Sequence, residues 1–161
     1  MQIYELLREH QLSVTTAESC TGGLVASALV DISGISEFFK EGYITYAAES
    51  KEALLNVPAT VIKTYGVVSE QTAEAMARGA AEKAHAACAV TTTGVAGPAG
   101  GTKETPVGTV CFGCSVNGHL YSDTRQFTGD RSSVRHAAAA YAIAFLERCI
   151  EKTYGGNLCE S

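Results

Sequence analysis

Residues 69–93 constrain the fold more than any other stretch of this chain. Ala73, Met76, Ala77, Ala80, Ala81 and Ala84 keep the i, i+3, i+4 spacing of an amphipathic helix over 69–84. Ser69 is placed to cap that helix, and Glu70 sits at the positive end of its dipole. So many alanines predict close packing against another element. Residues 87–93 follow as a buried strand.

The rest of the chain repeats this rhythm. Residues 2–10 read as a short amphipathic helix with Ile3, Leu6 and Leu7 on one side, and 13–17 as a β-branched strand. Residues 21–32 read as a helix with Leu24, Ala28 and Ile32 on a shared face. A second strand is expected over 42–47, and two short helices over 49–55 and 59–65, separated by Pro58. After a Gly/Pro-rich loop at 94–105, residues 107–116 and 120–127 form a hairpin around Asn117-Gly118. A long helix over 130–151 turns Val134, Ala138, Tyr141 and Phe145 inward, and 154–161 reads as a loose tail. Early alternation with a late hairpin predicts an α/β fold: one three-layer α/β/α domain with a mixed sheet over residues 1–161.

A chain of 161 residues can bury a core without disulfides or metals. Its net charge of −5 argues against a general binder of nucleic acid or membrane surface. The opening Met1-Gln2-Ile3-Tyr4-Glu5 does not read as a signal peptide, and no apolar run is long enough to span a bilayer. The six cysteines are therefore expected as reduced thiols in a cytoplasmic setting. Cys111 and Cys114 form a C-x-x-C, but they lie on a predicted strand rather than a turn, which argues against redox and zinc chemistry. The four histidines show no metal spacing. No metal and no cofactor are expected.

Four segments can carry chemistry. The first is the strand-to-helix turn Glu18-Ser19-Cys20-Thr21-Gly22-Gly23. Backbone N–H groups are free at a helix start, so a serine there can act as a nucleophile beside oxyanion donors. The plainer reading is a helix cap. The second is Lys51, with Tyr46 near the same strand end. A buried lysine loses its proton readily and can serve as a base, whereas a lysine in Glu49-Ser50-Lys51-Glu52 is ordinarily exposed. The third is the run from Thr91 through Thr93, Gly94 and Gly97 to Gly101, a buried strand entering a glycine-rich loop that can offer amides to an anion or be a surface loop. The fourth is Gly129-Asp130-Arg131, where an arginine beside a helix start makes a phosphate seat.

Taken in order, Ala17-Glu18-Ser19-Cys20-Thr21-Gly22-Gly23, Tyr46 with Lys51, Gly66-Val67-Val68-Ser69, Thr93-Gly94-Val95-Ala96-Gly97-Pro98, Pro106-Val107-Gly108-Thr109-Val110 and Gly129-Asp130-Arg131 closely resemble the CinA C-terminal domain family. That family includes stand-alone, PncC-type members that hydrolyse the carboxamide of nicotinamide mononucleotide in pyridine nucleotide recycling. The resemblance implies Ser19 as nucleophile, Lys51 as general base and Tyr46 as a support of this Ser-Lys dyad. It implies Arg131 at the substrate phosphate, with Thr93, Gly94 and Gly97 lining a nucleotide pocket. Helix-start physics adds Thr21 and Gly22 as oxyanion donors, and an arginine near the base would help keep Lys51 neutral. The implied partner is a small nucleotide, and the alanine-rich helices suit a homodimer or higher homo-oligomer. Two departures stand out. Tyr46-Ala47-Ala48-Glu49 replaces a common Tyr-Ser-Asn-Glu, so Ala48 removes a possible polar contact, and Thr105 stands where a lysine is common. Two rival classes are a silent nucleotide-binding module and a structural assembly domain.

Overall fold

The computed structural model describes residues 2–155. In chain order the elements are α1 (Gln2–Glu9), β1 (Val14–Glu18), α2 (Leu24–Val30), a 3-10 turn (Ile35–Glu37), β2 (Phe39–Ile44), α3 (Ala48–Leu55), α4 (Ala59–Tyr65), α5 (Glu70–Ala84), β3 (Cys88–Gly94), β4 (Thr109–Val116), β5 (His119–Gln126) and α6 (Arg131–Gly155). The strands form one sheet in the order β2-β1-β3-β4-β5. β1 pairs in parallel with β2 and with β3, while β3-β4 and β4-β5 are antiparallel. The fold is thus α/β with a mixed five-stranded sheet.

The two faces of the sheet differ in side-chain size, and each gets a matching helix layer. Val14, Cys88, Val90, Val110, Phe112, Cys114 and Val116 meet α1, α2 and α6 through Ile3, Leu7, Val25, Leu29, Val134, Phe145, Leu146 and Ile150. On the other face Ala17 and Ala89 pack with Leu55, Val57, Met76, Ala77 and Ala80 of the α3–α5 side. Here the alanines of α5 do what their pattern predicts. A Cβ on Gly113 of β4 would lie 2.1 Å from the Ala73 carbonyl of α5, so only glycine fits that approach. Ser69 caps α5 by accepting the Thr72 N–H at 3.1 Å.

Several boundaries depart from expectation. α2 begins at Leu24, because Gly22 and Gly23 take φ values of +55° and +104° outside the helical range. Its buried face is Val25 and Leu29, not Leu24 and Ala28. β2 spans Phe39–Ile44, three residues earlier than expected. α6 runs to Gly155, so Tyr154 is helical rather than loose, and its ring stacks on His10 at 4.0 Å. The remainder of the expected tail, 156–161, lies outside the described residues. Tyr141 is only half-buried. Cys111 and Cys114 do lie on a strand, and the cysteines among the described residues are buried and free. Among those residues no helix is long and apolar enough to cross a membrane.

Candidate active site

The chain leaves β1 for β2 on one side and later returns to β3 on the other. The crevice beyond the carboxyl ends of these parallel strands is where open α/β sheets place ligands. A cleft of about 290 Å³ opens there. Ser19, Cys20, Tyr46, Thr93, Gly94, Gly97 and Arg131 line it, together with Val67, Val95 and Ala96. Segments spread over more than a hundred residues of sequence therefore converge on one opening.

Ser19 directly follows β1 and is 7% exposed. Its Oγ lies 3.1 Å from Lys51 Nζ and 3.5 Å from the Tyr46 carbonyl oxygen. Lys51 projects from the first turns of α3 and is fully buried, contrary to the usual fate of a lysine. Its ammonium also donates to the Thr45 carbonyl at 2.6 Å, which aims the side chain at Ser19. Burial pulls the Lys51 pKa down from 10.5 to about 8, against a small opposing pull from Cys20. The expected help from an arginine is absent: desolvation lowers this pKa. Cys20, also in the cleft, has its thiol pushed up to about 11, chiefly by burial. It stays protonated near neutrality and does not compete with Ser19 as nucleophile.

Tyr46 splits its two polar ends. Its carbonyl faces Ser19, but its hydroxyl accepts from Arg131 Nη2 at 2.9 Å rather than reaching the dyad. Arg131 Nη1 donates to the Gly97 carbonyl at 2.8 Å. The guanidinium thus joins the glycine-rich loop to the tyrosine at the first residue of α6, where Asp130 caps the helix by accepting the Ser133 N–H at 2.8 Å. Thr93 lines the cleft with its hydroxyl held by the Val67 carbonyl at 2.8 Å. Gly94 and Gly97 are needed for packing: a Cβ on Gly94 would lie 2.7 Å from the Thr109 carbonyl, and one on Gly97 2.4 Å from Val107.

The Thr21 side chain and the Gly22 amide do not join them, whereas the Thr21 N–H takes no main-chain acceptor among the described residues. Thr21 is fully buried beneath the turn, with its hydroxyl 2.6 Å from Glu18 Oε1 and 2.8 Å from Thr92 Oγ1. The Gly22 N–H is taken by the Ser19 carbonyl at 3.0 Å. The reason is local. Two left-handed glycines delay α2, so the residues after Ser19 form a turn rather than a helix start.

Two further residues shape this turn. Glu18, 1% exposed, caps α2 from the strand end. Its carboxylate accepts the Val25 N–H at 2.8 Å and the Ala26 N–H at 3.0 Å. Arg135 on α6 donates to the Cys20 carbonyl and to the Thr21 carbonyl, each at 3.0 Å. Nothing in the local spacing around Glu18 announces its role. Arg135 had a signal: it lies one helical turn after Arg131, on the same face.

Comparison with known proteins agrees with this architecture. Residues 1–150 match the CinA C-terminal domain. A CinA-like protein of Kosmotoga olearia is 45% identical over 148 residues, covering 92% of this chain and 36% of that protein. The chain thus spans about a third of the length of the curated relatives it matches. A competence-damaged protein (CinA) superfamily structure from Klebsiella pneumoniae superposes with a TM-score of 0.89 at 34% identity, covering 94% of each chain. The competence/damage inducible protein CihA of Agrobacterium tumefaciens gives 0.81 at 39% identity, over 90% of this chain and 93% of that one. The chain belongs to the CinA C-terminal domain family.

Proposed function

We infer that this protein is an amidohydrolase that converts nicotinamide mononucleotide and water into nicotinic acid mononucleotide and ammonia. One observation carries the reading: a fully buried lysine, its pKa drawn down to about 8, sits 3.1 Å from a serine at a nucleotide-sized cleft. Neutral Lys51 takes the Ser19 proton, and Ser19 Oγ attacks the carboxamide carbon. The tetrahedral intermediate collapses as Lys51 returns that proton to the departing ammonia. Water, deprotonated by the same lysine, then attacks the acyl-Ser19 ester and releases the acid. The Tyr46 hydroxyl is engaged by Arg131, and Lys51, 3.1 Å from Ser19 Oγ, is placed for both transfers. Arg131, at the start of α6, suits the substrate phosphate. The Cys20 and Thr21 N–H groups, which take no main-chain acceptor among the described residues, suit the oxyanion.

The test is stoichiometric. Wild-type protein given nicotinamide mononucleotide should release ammonia and nicotinic acid mononucleotide in equal amounts. Binding of the nucleotide without release of ammonia would instead identify a silent nucleotide-binding module. A cytoplasmic setting and a homodimer or higher homo-oligomer belong to the same reading, and sedimentation velocity at micromolar concentration checks the second.

A further inference from the structure

A serine at a strand-to-helix turn ordinarily borrows the following helix N-terminus to stabilise negative charge. Here that N-terminus is already occupied. The Glu18 carboxylate takes the Val25 and Ala26 amides at 2.8 and 3.0 Å, and places its own negative charge at the positive end of α2. The first amide past the turn, Leu24 N–H, is closed onto the Thr21 carbonyl at 3.2 Å, and Gly22 N–H onto the Ser19 carbonyl at 3.0 Å. An oxyanion at Ser19 must therefore be met from within the turn.

Within the turn, one positive charge faces the peptides. Arg135 Nε and Nη2 each donate at 3.0 Å, to the carbonyls of Cys20 and Thr21 in turn. Among the described residues Arg135 forms no ion pair, so its charge is directed at these two peptide groups. A peptide whose carbonyl accepts a charged donor is polarised, so the grip on the Cys20 carbonyl makes the N–H of the same peptide, that of Thr21, a better donor, and this amide takes no main-chain acceptor among the described residues. The two-pronged grip also fixes the orientation of both peptide planes. Gly22 leaves room for it, since a Cβ there would sit 3.2 Å from the same guanidinium.

We propose that Arg135 is a positioning residue that takes over the role of the helix dipole: by holding the Cys20 and Thr21 carbonyls it orients and polarises the turn that stabilises the oxyanion on Ser19. This rests on the amidohydrolase reading for its substrate, but not for its chemistry. Any reagent that puts negative oxygen next to Ser19 Oγ feels the same field. Arg131 and Arg135 thereby divide the work of one helix face, the first at the cleft and the second behind the nucleophile.

Two readouts separate this from a purely structural role. In turnover of nicotinamide mononucleotide, Arg135→Gln should lower kcat roughly tenfold to a hundredfold, the range set by loss of part of an oxyanion site, with KM changed less than about twofold. The Lys51-controlled pH midpoint should not move. The second readout is labelling of Ser19 by a fluorophosphonate, followed by mass spectrometry. There the Ser19 Oγ–P bond forms as the P–F bond breaks, fluoride leaves, and the hydroxyl proton passes to Lys51. Arg135→Gln should slow this labelling by a similar factor, and Arg135→Lys, which keeps charge but loses the fork, should fall between. Ethylguanidinium added to Arg135→Ala should restore part of the labelling rate. Labelling is informative even if nicotinamide mononucleotide proves not to be the substrate, so the two readings fail separately. Unchanged labelling in Arg135→Gln, a loss carried entirely by KM, or a wild-type Ser19 that takes no label would each overturn the proposal.

Discussion

Lys51 is held in its neutral-favouring state by the removal of water, and this has consequences for both rate and stability. Its pKa near 8 in the fold lies below the 10.5 of an unfolded lysine. The proposed mechanism uses the unprotonated amine, so kcat/KM should rise about tenfold per pH unit below 8 and level off above it. Steady-state kinetics between pH 6 and 9.5 read this directly. Between pH 8 and 10.5 the unfolded chain binds the proton that the folded chain has lost, so stability rises with pH through that window. Below it the burial penalty is fully present, at about 3 kcal/mol. Lys51→Met removes that penalty but orphans the Thr45 carbonyl, at about 1 kcal/mol. The variant should therefore be inactive yet roughly 1–2 kcal/mol more stable at pH 7, and it should lose the upward slope above pH 8. Urea melts of both proteins at pH 7 and pH 9.5 check this.

At the level of elements, α3 matters most to the site because it carries Lys51. Its N-cap is Ala47, which offers no side-chain oxygen, whereas the family pattern Tyr-Ser-Asn-Glu has serine at that position. Ala47→Ser should stabilise the protein by about 1 kcal/mol in denaturant melts, with the Ser19–Lys51 geometry unchanged. Packing sets the opposite sign at Gly113, where a Cβ would overlap the Ala73 carbonyl of α5 at 2.1 Å. Gly113→Ala should cost about 1–3 kcal/mol in the same melts. These elements also show what sequence reveals. α5 was readable because its cap, its dipole charge and its apolar face all lie within its own residues. β2 lies earlier than its residues suggest because it is an edge strand whose run Lys40-Glu41-Gly42 looks like a loop, and parallel pairing to β1 recruits its main chain regardless. α2 starts later than its periodicity predicts because two glycines with positive φ precede it, and its cap comes from Glu18, seven residues before the Val25 amide it holds. The sequence points to Ser19, Tyr46, Lys51, Thr93, Gly94, Gly97 and Arg131, and the structure gathers them around the cleft or directly behind it. That Lys51 would be buried, that the Tyr46 hydroxyl would turn to Arg131, and that Thr21 would lie beneath the turn depend on how distant segments meet.

On the scale of the whole molecule, the sheet keeps large apolar groups on one face and small ones on the other, and the cleft sits at the ends of the parallel strands between the two layers. In the α1–α6 layer it is α6 that reaches the Ser19 turn, through Arg135, whereas α1 contributes core side chains. Leu7, fully buried in that layer, should therefore separate stability from function. Leu7→Ala should cost about 2–5 kcal/mol in urea melts while leaving the kcat of the proposed reaction unchanged in the folded protein. The Ser19 turn works from the opposite end of the problem: held by Glu18 and Arg135 and addressed by Lys51, it adds little to the core and, in this account, carries the reaction. Ammonia release from nicotinamide mononucleotide by wild type, Ser19→Ala and Lys51→Ala, measured side by side, tests that account most directly. Both variants should lose at least about a thousandfold in kcat while remaining folded and still binding the nucleotide. Turnover that survives Ser19→Ala at near wild-type rate would contradict it.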